Sequence, residues 1–323
     1  SRKMSQGKPS FQATDKTLSG VRILSVALNL PGPATLMRLA DMGAKCTKLE
    51  PLPHVGSPKG TSSDPMGLYA PHAYKQLHAG VKVVQADLKT DKGQAQLHKL
   101  LAQTDVLLTS FRPSALKKLG LDWTQVHAQF PTLNMVSIVG SSGAGAEIPG
   151  HDLTYLASND LVSNLSLPAS LFADMAGSLQ ASEAVLKVLW QRAKPGRSQG
   201  KGVFNEVALE DAAAYLALPR HWGLTASKGY VGGAHAGYQV YKCANGRVAV
   251  AALEPHFAAK LLEVAGLVPA KKPLNSKASA SRDPMLLPAT KTRLAAFFAG
   301  LTRKQLTTLA QQHDLPLVSL PAV

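Results

Sequence analysis

The first 140 residues alternate short apolar runs with segments of helical length. Five apolar runs predict buried strands at residues 21–28, 44–50, 82–88, 105–111 and 133–140. Pro33 and Gly43 are placed to begin and end a helix after the first run, and Thr90 or Asp91 can cap a helix that reaches residue 102. Strands that alternate with helices of this length predict parallel βαβ units in a doubly wound sheet.

The pattern changes in the second half of the chain. A long helix is predicted over residues 175–192, then a break at 194–202, a strand at 203–209 and a helix at 210–218. Further along, Asn245 and Gly246 stand between two β runs, which is a strong hairpin signal, and helical segments follow. We therefore predict a large Rossmann-like α/β domain over residues 15–222 and a smaller α+β domain over residues 223–323.

Three loops are predicted to meet at one rim of the sheet. In doubly wound sheets ligands bind at the carboxyl ends of the strands, in the loops that follow. This rule brings together the segments LNLPGP (28–33), SFRPSALKK (110–118) and GSSGAGAEIPGHD (140–152). The glycine-containing loop spells neither a GxGxxG dinucleotide fingerprint nor a P-loop, so the sequence predicts neither of those sites.

The chain of 323 residues carries a formal charge of +15. A basic chain can bind nucleic acid, bind a small polyanion such as a nucleotide with several phosphates, or simply gain solubility. Lys and Arg are spread along the chain without a dense block or a recognisable nucleic-acid motif. We therefore predict no nucleic-acid partner and keep the small polyanion and solubility as open explanations.

Composition also bears on compartment and metal binding. No apolar run approaches the roughly 18 residues of a membrane helix, so we predict no membrane partner. The start of the chain is polar and lacks a signal-peptide segment, and Cys46 and Cys243 lie in β-like runs, so we predict a cytoplasmic protein. There is no CxxC pair, and we predict no metal site.

Four stretches of the chain resemble the class III CoA-transferase family, and within it the α-methylacyl-CoA racemase branch. They are residues 18–51, residues 83–121, GHDLTYLA (150–157) with LFADMAG (171–177), and GRVAVAALEPHF (246–257). No single motif is long, but their order and spacing make the resemblance specific. It runs from about Leu18 to Leu267.

The resemblance implies a CoA-thioester enzyme that works as an interlocked homodimer, with coenzyme A as part of the substrate and no permanently bound cofactor. It implies that His151, Asp174 and Glu254 form the catalytic set. In the transferase branch the residue that matches Asp174 is the carboxylate nucleophile, and that branch generally lacks the His. Contacts with CoA are expected at loop and basic positions, namely Pro31, Gly32, Lys82, Phe111, Arg112 and Lys118.

The chemistry of a thioester justifies these residue types. The carbonyl acidifies the adjacent C–H, so a base on one face can remove the proton and a donor on the opposite face can invert the carbon. His151 and Asp174 can supply the two faces, and Glu254 can hold the imidazole in orientation. Each also has a structural interpretation, as a loop residue, a helix cap and a surface acid respectively. Asp152 is expected to anchor its loop rather than to react.

Three departures from the family pattern bear on the choice of activity. Leu30 stands where transferases carry a catalytic-loop Gln, and residues 141–143 replace the usual glycine–aromatic–glycine run. The chain ends at Val323, where relatives continue with a segment that returns to the large domain. Our first hypothesis is a racemase of 2-methyl-branched or related acyl-CoA, the second a CoA-transferase acting through Asp174, and the third a non-catalytic acyl-CoA binder.

Overall fold

The computed structural model describes residues 16–196, 199–267 and 283–323. The polar start of the chain, on which the prediction of no signal segment depends, lies outside these residues, as does residue 15, the predicted start of the large domain. The chain forms two compact units that divide between Ala217 and Leu218, slightly before the predicted boundary at residue 222. That each unit is a separate domain remains a prediction.

The first unit is built on one parallel sheet. Its elements in chain order are β1 (Arg22–Ser25), α1 (Pro31–Asp41), β2 (Lys45–Glu50), α2 (Pro65–Tyr69), α3 (Pro71–Leu77), β3 (Val81–Gln85), α4 (Asp91–Leu101), β4 (Val106–Thr109), α5 (Pro113–Lys118), α6 (Trp123–Gln129), β5 (Asn134–Val139), α7 (Asp152–Ser158), α8 (Phe172–Ala193), β6 (Phe204–Ala208) and α9 (Leu209–Leu216). The six strands lie in the order β3-β2-β1-β4-β5-β6, and every pair is parallel. This is the Rossmann order and confirms the predicted α/β class.

The sheet is buried between two apolar layers. Successive residues of β4 point to opposite faces, so Leu108 packs in a cluster with α1 and α8, whereas Leu107 packs in a cluster with α4 and α6. Every residue of β4 and β5 is buried, while β3 at the edge is partly exposed. Continuous apolar strands of this kind are what a parallel sheet covered on both faces requires.

Five short helices lie where the sequence pattern predicted no element: α2, α3, α5, α6 and α7. Local signals explain their starts. Pro65, Pro71 and Pro113 occupy first helical positions, where the missing N–H costs nothing. Asp64 and Asp122 accept backbone N–H bonds at the starts of α2 and α6. Among the described residues no helix combines the length and apolarity that crossing a membrane requires.

The second unit contains a small antiparallel sheet in the order β7-β8-β9, which confirms the predicted hairpin. Its elements are α10 (Leu218–His221), β7 (Tyr238–Cys243), β8 (Gly246–Ala251), α11 (Pro255–Val264), α12 (Pro288–Ala299), α13 (Arg303–His313) and β9 (Leu317–Leu320). The turn is Ala244–Asn245 rather than Asn245–Gly246, because Cys243 pairs with Gly246. Gly246 is instead required by packing: a Cβ there would lie 2.3 Å from the Leu320 carbonyl oxygen.

Candidate active site

A cavity of about 300 Å³ opens in the first unit at the carboxyl ends of β1, β4 and β5. Strands β1 and β4 are neighbours in the sheet but not in the chain, so the loops that follow them diverge and leave a crevice. Most of the lining comes from the three loops predicted to share a rim: Leu28, Asn29 and Pro31; Ser110, Phe111 and Arg112; and Gly140, Ala146, Ile148, Pro149, Gly150 and His151. The strand-end rule therefore located the crevice correctly.

The loop after β5 closes around the buried Tyr155. A Cβ on Gly140 would lie 2.0 Å from the Tyr155 hydroxyl oxygen, and a Cβ on Gly150 would lie 2.5 Å from it, so both positions require glycine. His151 follows directly and is exposed at the cavity. Its backbone N–H donates to Thr154 Oγ1 at 3.1 Å, which fixes the start of α7. The packing of the loop on Tyr155 thus fixes the position of His151 at the cavity.

Asp174 lies in the first turn of α8 and lines the same cavity as His151. Its backbone N–H donates to Asp152 Oδ1 at 2.9 Å, and this bond ties the start of α8 to the start of α7. Asp152 is buried, so its anchoring role is confirmed. The helix cap is Leu171, not Asp174, which corrects the interpretation of Asp174 as a cap. The Asp174 carboxyl group is thus left to face the cavity.

The electrostatics of the site concentrate on Asp174. Burial first, and the charge of Asp152 second, raise its pKa from 3.8 to about 7. The N-terminus of α8 would by itself favour the ionised carboxylate, so the two opposing effects outweigh the helix dipole. A carboxyl group with a pKa near 7 can both accept and donate a proton at neutral pH.

We expect Asp174→Asn to stabilise the protein at pH 8. The folded state holds the Asp174 proton more tightly than the unfolded chain, so folding stability is lost as pH rises from about 3.8 through about 7. The shift sets an upper limit of about 4 kcal/mol, and solvent at this half-buried position reduces the gain to about 1–3 kcal/mol. The variant removes this loss because its amide never ionises.

Urea unfolding at pH 5 and pH 8 measures the effect. The difference in free energy of unfolding between variant and wild type should grow with pH. Glu183→Gln, on an exposed position of the same helix, is the matched control and should show no such growth. An Asp174→Asn difference that stays constant with pH would contradict the raised pKa.

A buried charged cluster lies behind the turn that follows β1. The ammonium of Lys48 contacts three acceptors, namely Glu50 Oε1 at 3.1 Å, His78 Nε2 at 2.9 Å and a carboxylate oxygen of Asp64. Lys48, Glu50 and Asp64 are at most 1% exposed. The other Asp64 oxygen accepts the backbone N–H of Asn29 at 2.9 Å. The cluster therefore fixes a residue of the cavity wall.

The acceptors of this cluster are also of metal-ligand type. Ligand atoms of Glu50, Asp64 and His78 lie within 4.8 Å of one another. Because the Lys48 ammonium contacts all three, they act as its hydrogen-bond acceptors. His78 Nδ1 lies 2.7 Å from the Tyr74 carbonyl oxygen, which assigns the proton to Nδ1 and leaves Nε2 to accept from Lys48. Burial and the charge of Lys48 lower the pKa of His78, in keeping with a neutral ring.

The comparison with known proteins decides the family. Residues 18–321 match the sequence profile described as CoA-transferase family III. The chain belongs to this family. It is 29% identical over 306 residues to alpha-methylacyl-CoA racemase of Mus musculus, covering 89% of this chain and 73% of that protein.

Two further matches show the range of the family. Over 143 residues the chain is 35% identical to succinyl-CoA–D-citramalate CoA-transferase of Chloroflexus aurantiacus, covering 42% of this chain and 34% of that protein. The crystal structure of a CAIB/BAIF family protein from Brucella suis superimposes with a TM-score of 0.72 at 22% identity, covering 94% of this chain and 84% of that one. The structural match supports the fold, and the sequence matches include both racemases and transferases.

The residues that the family III resemblance singled out fall into two groups. Pro31, Phe111, Arg112, His151 and Asp174 are brought together around the cavity. The remaining four are not among its lining residues: Gly32, Lys82, Lys118 and Glu254. Glu254 is exposed in the second unit, immediately before α11.

The structure shows the surroundings of three of these positions. Gly32 is buried, and a Cβ there would lie 2.1 Å from Ala27 Cβ, so the close packing of α1 on its own chain requires a glycine here. Its contact with CoA remains a prediction. Lys82 is the second residue of the edge strand β3, not at its carboxyl end, and is exposed. Lys118 is the exposed last residue of α5. Whether either lysine contacts CoA remains a prediction.

Sequence reasoning missed Asn29, Tyr155 and Lys48. Asn29 has a φ of 71°, a left-handed conformation that Asn tolerates better than most residues, but one Asn in a loop gives no specific signal. Tyr155 is four residues after His151 on a short helix that the pattern did not predict. Lys48 is a charged residue inside an apolar strand, KCTKLE, and that mismatch was the available signal.

Proposed function

We propose that the chain is an acyl-CoA racemase that exchanges the α-proton of a 2-methyl-branched acyl-CoA. One observation carries this proposal: His151 and Asp174, the latter with a pKa near 7, line a single cavity at the crevice of the sheet. Two proton-transfer groups around one carbon are what inversion of that carbon requires. The similarity to alpha-methylacyl-CoA racemase over 89% of the chain supports the same choice.

The proposed reaction consists of two proton transfers, one on each face of the α-carbon. One group removes the α-proton, and the C–H electron pair becomes the C=C bond of an enolate while the carbonyl pair moves onto oxygen. The other group then delivers its own proton to the opposite face of the carbon, which restores the thioester with inverted configuration. Asp174 and His151 exchange protonation states in each turnover and are reset by solvent or by the reverse reaction. Glu254 is proposed as the third member of the catalytic set, as the family resemblance implies.

Substrate binding is proposed to use the loops around the cavity. Phe111 and Arg112 follow β4 and line it together with Pro31. Arg112 offers a fork of donors suited to the phosphates of CoA. Lys82 and Lys118 are proposed as additional phosphate contacts. We also propose that CoA enters only as part of the substrate and that the enzyme is an interlocked homodimer, as the family resemblance implies. A cytoplasmic location is proposed from the composition of the sequence.

Incubation with a panel of acyl-CoAs in D₂O tests the proposal. A racemase should place deuterium at Cα, detected by mass spectrometry, without any second carboxylic acid. The configuration at Cα should reach a 1:1 mixture. Binding of the acyl-CoA without label and without transfer to an added acid would instead support a non-catalytic binder and overturn the proposal.

The second candidate function is a CoA-transferase. The 35% identity over 143 residues to succinyl-CoA–D-citramalate CoA-transferase favours this alternative. In that reaction the Asp174 carboxylate attacks the thioester carbonyl and CoA thiolate leaves. The same thiolate then attacks the aspartyl carbonyl of the mixed anhydride, which forms the aspartyl-CoA thioester and releases the donor acid as its carboxylate. An acceptor carboxylate follows these steps in reverse, so that it takes up CoA and frees the Asp174 carboxylate. A raised pKa lowers the ionised fraction of Asp174 at neutral pH, which supports acid–base chemistry over nucleophilic attack.

A further inference from the structure

The turn between β1 and α1 contains an unusual residue of the cavity wall. Asn29 lines the cavity together with His151 and Asp174. Its φ of 71° is left-handed, a conformation that glycine adopts freely and that side chains other than Asn and Asp rarely adopt. A non-glycine residue in this conformation at a site is a reason to ask what its side chain does there.

Asn29 is held at both its backbone and its side chain. Its backbone N–H donates to Asp64 Oδ1 at 2.9 Å, and Asp64 is itself buried against the ammonium of Lys48. Its side-chain oxygen accepts from the hydroxyl of Tyr69. With the carbonyl end of the amide occupied by the phenol, the NH₂ end carries the donors that remain for the cavity. The surrounding residues thus orient an amide donor.

Tyr69, which holds this amide, lies within electrostatic reach of Asp174. Burial, then the charge of Asp64 and then the charge of Asp174 raise the pKa of Tyr69, the residue that holds the Asn29 side chain. Asn29 and Asp174 also belong to the wall of one cavity of about 300 Å³. A thioester bound in this cavity is therefore bordered by Asn29 as well as by Asp174.

We propose that Asn29 is a further catalytic residue, whose side-chain NH₂ donates a hydrogen bond to the thioester carbonyl oxygen of the acyl-CoA. When the α-proton leaves, negative charge collects on this oxygen, and a preoriented donor stabilises it more than it stabilises the neutral substrate. The amide keeps its own proton throughout. Tyr69 is then a positioning residue, because it holds the amide but does not touch the substrate. The inference rests on the proposed acyl-CoA chemistry.

Asn29→Gly tests this role without disturbing the fold. Glycine adopts the left-handed conformation at no cost and keeps the backbone N–H that Asp64 accepts. We expect kcat for Cα exchange to fall about 10²–10³-fold, as when one oxyanion donor is removed, while KM and the thermal midpoint change little. Asn164→Gly is the matched control, since Asn164 is also left-handed, with a φ of 51°, but exposed and not among the residues that line the cavity. Its kcat should equal that of wild type.

Two further variants sharpen the test. Asn29→Asp keeps the shape and the tolerance for the left-handed turn but replaces the donor by an acceptor, so its kcat should fall at least as far. Tyr69→Phe keeps the Asn29 amide but removes the hydroxyl that donates to it, so the amide is no longer held in one orientation. We expect kcat to fall about 3- to 30-fold at unchanged KM, a fraction of the effect of losing the donor. Wild-type kcat in Tyr69→Phe would overturn the positioning role of Tyr69.

The outcomes separate this inference from the proposed function. If the wild type exchanges Cα and Asn29→Gly or Asn29→Asp retains its kcat, the role of Asn29 is overturned and the racemase proposal stands. If the Asn29 variants lose kcat only in parallel with their thermal midpoint, the residue is structural and the inference fails. A wild type that neither exchanges Cα nor transfers CoA overturns both proposals.

Discussion

Asp174→Asn is expected to lower the rate of Cα exchange by about 10²–10⁴-fold, the usual effect of losing one positioned proton-transfer group. The substitution keeps the size of the side chain and leaves the backbone bond to Asp152 intact, so the loss reports on the carboxyl group itself. His151→Ala should produce a loss of similar size. If the two groups face opposite sides of the carbon, each variant should slow exchange from one enantiomer more than from the other, with opposite bias.

Exchange in D₂O from each pure enantiomer measures this bias. Asp211→Asn, an exposed carboxylate on α9 that does not line the cavity, is the control and should retain wild-type rates. A transferase would give a different pattern: Asp174→Asn would abolish CoA transfer, whereas His151→Ala would have a mild effect. Hydroxylamine would then modify Asp174 only in the presence of acyl-CoA, and that adduct without Cα exchange would overturn the racemase proposal.

The architecture was accessible from the sequence because its signals are local. Apolar runs such as 133–140 predicted buried strands, and their alternation with helices predicted the parallel sheet found here. The strand-end rule then placed the loops of Pro31, Arg112 and His151 at one rim, where the cavity lies. The short helices α2, α3 and α5 were missed because five to seven residues are too few to show an apolar period.

The detailed geometry of the site depends on contacts that local patterns do not contain. The bond between Asp174 and Asp152 joins residues 22 apart, and the bond between Asn29 and Asp64 joins residues 35 apart. Gly32 was predicted from the sequence as a position close to the ligand, and only the structure shows that a Cβ there would also meet Ala27 of the same turn. Sequence motifs therefore pointed to the side chains that we propose to react, whereas the groups that orient them became visible only in the folded chain.

Lys48→Met is expected to destabilise the protein by about 3–5 kcal/mol, the usual cost of leaving a buried charge without its partner. Methionine matches the length of the lysine stem but offers no positive charge, so the carboxylates of Glu50 and Asp64 would stay buried without compensation. His78 Nε2 would also lose its donor. Urea unfolding monitored by circular dichroism measures the loss.

Two further variants test whether the unpaired buried charges cause the loss of stability in Lys48→Met. Lys187→Met removes the partner of Glu183 from an ion pair of similar length, 2.9 Å, whose side chains are 58% and 63% exposed, and it should cost less than about 1 kcal/mol. Adding Glu50→Gln and Asp64→Asn to Lys48→Met neutralises the cluster and should recover part of the loss. If Lys48→Met costs no more than Lys187→Met, the buried cluster is not what stabilises this region. Asp64 also accepts the backbone N–H of Asn29. We therefore expect the Lys48→Met protein, under conditions where it is folded, to have a lower kcat for Cα exchange than wild type. This result would link the stability of the cluster to the cavity wall.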